Sequence, residues 1–177
     1  MILVLVFFSL LISLPPVDDF LDSRMVGKAF FQNFFLIASG MLMAHKTEIF
    51  PFKDNPERAS GLIIFSFIFL FWSIPRSIDL SEIHWWIDQL NHLSMFAGGF
   101  ILLRSLKGLP TVAKGVYGIL FSSMLTATAM VYRWKKVILC STYTLEDQHL
   151  YGKVLLIFGI ALYTSVILWI IFGWSRR

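Results

Sequence analysis

The chain has 177 residues, of which 57% are hydrophobic, 16% aromatic and only 15% charged, with a formal net charge of +4. A soluble domain of this size needs more charge to cover its surface, so the apolar excess faces lipid. The basic residues stand at the ends of apolar runs, as topology determinants and anionic-lipid contacts do rather than as a nucleic-acid surface does. The single cysteine, Cys140, leaves no intrachain disulfide and no multi-cysteine metal signature.

A helix that crosses the hydrocarbon takes roughly 20 residues. By that measure the sequence predicts an all-α polytopic bundle of about six transmembrane helices, forming one domain over 1–177, with spans near 1–17, 25–44, 59–75, 84–103, 115–132 and 149–174. The first run has neither a basic leading region nor a small-residue cleavage site before Pro15-Pro16, so it reads as a short span rather than a signal peptide. In the second, Lys28 is expected to snorkel to the headgroups. The third ends at Pro75, which does not readily extend a helix. The fourth carries Asp88 and His92 inside an apolar run, and Val154–Trp174 is the clearest span of all.

Charge orients the bundle. With the N-terminus inside, Lys46, Lys53, Arg58, Arg104, Lys107, Lys114, Arg176 and Arg177 fall on the inner side. Arg24, Arg76, Arg133, Lys135 and Lys136 fall outside with most of the acid, so both termini are expected inside a multi-pass protein of the cell (plasma) membrane. The loop after the fifth span, Val137–Thr144, is rich in β-branched residues and is expected to be extended or to form a hairpin.

Ionisable groups inside a span are costly and mark functional candidates. His84, Asp88, His92, Met95 and Gly99 follow one another at spacings of four, four, three and four, which places them on one helical face. His149 opens the sixth helix on the same side, so His84, Asp88, His92, Met95 and His149 form a candidate metal set. Met95 and Cys140 favour copper over harder ions. The competing readings are a buried polar pair between helices, a proton-handling site, and haem ligation. Asp88 could pair with Lys153, and Asp88, Asp147 and Lys153 are candidate polar contacts between helices. Asp147 also completes a capping box in Thr144-Leu-Glu-Asp. Ser94, Gly98 and Gly99 are candidate close-packing positions.

Asp88-Gln89 followed by Ala97-Gly98-Gly99, and Asp147-Gln148 followed by Gly152, resemble the polytopic assembly family for caa3-type cytochrome oxidase. His92-Leu-Ser-Met-Phe is similar to the membrane histidines of that family, and the layout also resembles small archaeal membrane proteins of unknown function. The resemblance implies a non-catalytic accessory or assembly subunit of a membrane metal oxidoreductase, of the copper monooxygenase or haem–copper oxidase type. Copper would be handled on the outer face, and the partners would be other integral membrane subunits and lipids. The alternatives are a purely structural lipid-embedded subunit and a small ion or proton transporter.

Overall fold

In a computed structural model, which describes residues 15–47, 55–135 and 137–174, the described residues are helical and irregular, with no strand among them. The helices are α1 (Pro15–Asp22), a π-helical stretch (Gly27–Gln32) running into α2 (Asn33–Lys46), α3 (Asn55–Ser73), α4 (Pro75–Ile83), α5 (Trp85–Leu106), α6 (Thr111–Trp134) and α7 (Leu145–Trp174). The expected first span lies mostly outside the described residues. The others fall close to helices α2, α3, α5, α6 and α7.

By length and composition, α6 and α7 can cross a membrane, and a third crossing is present if α3 and α4, bent by 70°, count as one. Part of the shortfall from the six expected is a matter of length, since the first span lies mostly outside the described residues and α2 has only 14 residues, and part is chemical. Helix α5, at 22 residues, is long enough, but it carries Asp88, Asn91, His92 and Arg104. Along α3, α6 and α7, side chains such as Ile63, Phe67, Leu120, Ile157 and Ile171 stay exposed, as a lipid-facing surface requires.

Small residues set the packing. A Cβ on Gly40 would overlap the Phe96 carbonyl and one on Gly99 the Ile37 carbonyl, so α2 and α5 meet backbone to backbone. Gly98 points elsewhere, toward the Phe65 ring of α3 at 3.2 Å. Ser94 takes a 2.7 Å hydrogen bond from the Trp72 indole. Helices α6 and α7 are joined the same way: added Cβ atoms on Gly152 and Gly159 would lie 2.9 Å from the Ala129 carbonyl and the Thr126 hydroxyl. Contacts are dense within the α2–α3–α5 group and within the α6–α7 pair, and sparse between α3 and α6.

Pro75 stands at the start of α4, where its missing N–H costs nothing. The break before it frees carbonyls at the end of α3, and the Tyr132 hydroxyl donates to one of them, Ser73 O, at 2.8 Å; the Cys140 thiol donates to Pro75 O, in the first turn of α4, at 3.7 Å. The expected extended or hairpin segment at Val137–Thr144 is irregular instead, because no neighbouring strand supplies ladder partners and side chains from α4 and α7 take its backbone groups.

Candidate functional site: a buried lysine among three carboxylates

The polar centre of the molecule is Lys28, 2% exposed, in the π-helical stretch. Gly27 makes the preceding turn tight, since a Cβ there would overlap the Leu21 carbonyl. Asp22 at the end of α1 is thereby folded back onto the lysine. The Lys28 ammonium lies 2.9 Å from Asp22 Oδ2, 3.1 Å from Glu82 Oε1 and 3.0 Å from Asp88 Oδ1. All three are ion pairs, and the one to Asp22 is also a hydrogen bond. Lys28 was expected to snorkel to the headgroups; the three carboxylates hold it inside instead.

The cluster extends on both sides. His92 Nε2 is 3.6 Å from Asp88 Oδ2, one helical turn along α5. The Tyr143 hydroxyl donates to Glu82 Oε1 and lies 3.2 Å from the Asp22 carbonyl. With His92 neutral the formal charge of the cluster is −2, from one ammonium and three carboxylates.

A second set of contacts fixes the loop after α6. Gln148, 1% exposed, accepts from Leu139 N (2.8 Å) and Cys140 N (3.3 Å) and donates to Cys140 O (3.0 Å) and Tyr143 O (2.9 Å). Replacing Gln148 with leucine strands four buried backbone groups at about 1–3 kcal/mol each, a cost the loop limits by detaching. The expected net loss is about 2 kcal/mol, with faster amide exchange confined to 138–143 as the check.

From α4, Asp79 Oδ2 accepts from Ser141 N (2.9 Å) and Oγ (3.1 Å), and Oδ1 from Thr142 N (3.2 Å) and Oγ1 (2.9 Å). Burial alone would raise the Asp79 pKa, but these four bonds outweigh it and hold the carboxyl below its ordinary value. The loop is therefore fully anchored above the usual aspartate range and loosens as pH falls through the lowered folded value. Hydrogen exchange of 141–143 should accelerate beyond its intrinsic pH dependence only in acid, and Asp79→Asn should show that acceleration at neutral pH. Burial, followed by the Asp79 charge, pushes the Cys140 thiol up to about 12, so it is protonated and inert at neutral pH.

The five candidate metal ligands come apart. His84 caps the break between α4 and α5, is exposed and stacks beside Trp86 at 6.3 Å. Its extended backbone turns it off the face that holds Asp88. Met95 is fully buried with Leu36 and Trp72 in the apolar core. His149 Nε2 lies 3.1 Å from the Lys135 carbonyl, in an open basin of about 680 Å³ that also holds Arg24, Arg133 and Lys153. Only Asp88 and His92 stay together. Among the described residues no group of three His, Cys, Asp or Glu is placed to hold a metal, because the carboxylates that do converge, those of Asp22, Glu82 and Asp88, already hold the Lys28 ammonium. These residues do not fit a resident copper centre.

The expected contacts between helices change in the same way. Asp88 pairs with Lys28, not with Lys153, which is exposed in the basin. Asp147 acts locally: Thr144 Oγ1 accepts from its backbone N–H at 3.2 Å, the N-cap half of the capping box that the sequence contains, and donates to its carboxylate at 2.7 Å. The two Asp-Gln pairs are not equivalent, since α5 buries the carboxylate of its pair while α7 buries the amide.

Comparison with known proteins agrees with a membrane assembly role. Neither curated proteins nor solved structures gave a match. A family model for cytochrome c oxidase caa3 assembly factors matches residues 57–177, more than half of the chain, covering Asp79, Glu82, Asp88, His92, Tyr143 and Gln148 but not Asp22 or Lys28. The chain is a membrane protein, and it belongs to the cytochrome c oxidase caa3 assembly factor family.

Proposed function

We propose that this chain is a non-catalytic assembly factor for a haem–copper oxidase of the cytochrome c type, acting by holding oxidase subunits in the membrane. The family match over residues 57–177 carries this reading. The geometry supports it with a firmly wired end in which α1, α4, the 137–144 loop and α7 are fixed to one another through Lys28, Asp79 and Gln148. That end also presents apolar side chains to its surroundings, Trp85, Trp86, Trp134, Val137 and Ile138. Exposed tryptophans suit headgroup depth or a partner subunit, and neither role requires a reacting group.

The opposite end is basic, with Lys46, Arg58, Arg104, Lys107 and Lys114 against Glu57 among the described residues. We read the basic end as cytoplasmic and the wired end as outer, in a six-span chain of the plasma membrane with both termini inside. A narrower copper-handling role would rest on His92 and Met95, two buried donors on adjacent turns of α5, and it requires the Lys28 ammonium to leave Asp88. Metal analysis of wild type beside His92→Ala tests it: copper in the first and none in the second supports it, and copper in neither removes it.

Photo-crosslinking from Ile138 in native membranes tests the assembly role. Adducts with oxidase subunits are expected. Adducts with lipid alone in oxidase-producing cells would contradict a holding role for this end.

A further inference from the structure

We infer that the cleft between the two helix groups is a binding site for one anionic phospholipid, its acyl chain in the cleft and its headgroup at Lys107 and Lys114. The cleft has a volume of about 530 Å³, and its walls include Phe34, Phe121 and Phe158. It exists because α2–α3–α5 and α6–α7 each pack tightly within themselves through small residues and touch each other little.

Size decides the class of occupant. A spanning helix is roughly 30 Å long, well beyond the stretch of helix that lines the cleft. Small-molecule sites run from about 300 to 1,000 Å³. The lining on the π-helical stretch and α2 runs from Ala29 to Met41, roughly 18 Å at about 1.5 Å per residue. One leaflet is about 15 Å deep. That is the reach of a single acyl chain.

Charge decides the headgroup. Lys107 follows α5, Lys114 lies in the first turn of α6, and both line one end of the cleft. Neither has a carboxylate within salt-bridge distance among the described residues. Arg58 lies close by, its guanidinium 2.5 Å from where a Cβ on Gly108 would stand. Each such cation contributes about 1 kcal/mol of attraction to an anionic surface, and a zwitterionic headgroup gains far less.

Native mass spectrometry of the full chain from micelles holding equal phosphatidylglycerol and phosphatidylcholine tests the site. Wild type should retain phosphatidylglycerol about tenfold over phosphatidylcholine, and Lys107→Ala with Lys114→Ala should bring the two near parity. Met41→Trp, which fills the cleft, should reduce retention of both. Equal retention of the two lipids by wild type, or an unchanged preference in the double lysine variant, overturns the proposal. A photo-crosslinker in place of Met41 separates the remaining occupant: an adduct of lipid mass supports the site, and an adduct with a polypeptide overturns it.

Discussion

Replacing Lys28 with methionine lowers the unfolding free energy by about 3–5 kcal/mol, because removing one partner from a buried ionic cluster leaves the others uncompensated. For a chain of this length that corresponds to a fall in melting temperature of roughly 10 °C, readable by near-ultraviolet circular dichroism in a mild detergent. The cost arises from Asp22, Glu82 and Asp88, which the ammonium contacts at 2.9, 3.1 and 3.0 Å. Adding Glu82→Gln and Asp88→Asn to Lys28→Met should recover part of the loss, since two of the stranded charges disappear. A single variant that melts like wild type would show that Lys28 is not the centre of the cluster.

Gly99→Ala should cost about 3 kcal/mol, although it adds one methyl group. The new Cβ would overlap the Ile37 carbonyl, a backbone group that moves only if α2 moves, and overpacking of this kind costs about 1–3 kcal/mol or more. Gly98→Ala is the matched control. Its Cβ would sit 3.2 Å from the Phe65 ring, which can shift by a few tenths of an ångström, so the expected cost is below about 1 kcal/mol. Unfolding of both variants in graded denaturing detergent checks the difference; equal losses would mean that α2 and α5 are not in backbone contact.

These two glycines show how far the sequence was legible. Ser94, Gly98 and Gly99 together announce close packing on α5, but spacing does not say that Gly99 meets a carbonyl and Gly98 a ring. The longer helices were readable from apolar runs, whereas α1 and α4, short and rich in polar residues, have no such run and were not expected as separate helices. Asp88 and His92 were visible because charge inside an apolar run is costly. Their partner was not, because Lys28 at the start of an apolar run has the pattern of a snorkelling cation, and Asp22, Glu82 and Asp88 meet only when α1, α4 and α5 converge. Gln148 was overlooked beside Asp147 for a related reason. An amide that satisfies a loop from inside has no pattern of its own, whereas a carboxylate three residues after a threonine has the capping pattern. Metal spacing on α5 misled at His84, where the helix has not yet begun.

If this family member assembles a haem–copper oxidase, the oxidase content of membranes depends on it. Reduced-minus-oxidised difference spectra, recorded from the native host with and without the chain, report haem in the assembled enzyme. Deletion should lower the oxidase signal, the full chain should restore it, and Gly99→Ala should restore it only in part. An oxidase spectrum unchanged by deletion would mean that the oxidase assembles without this chain.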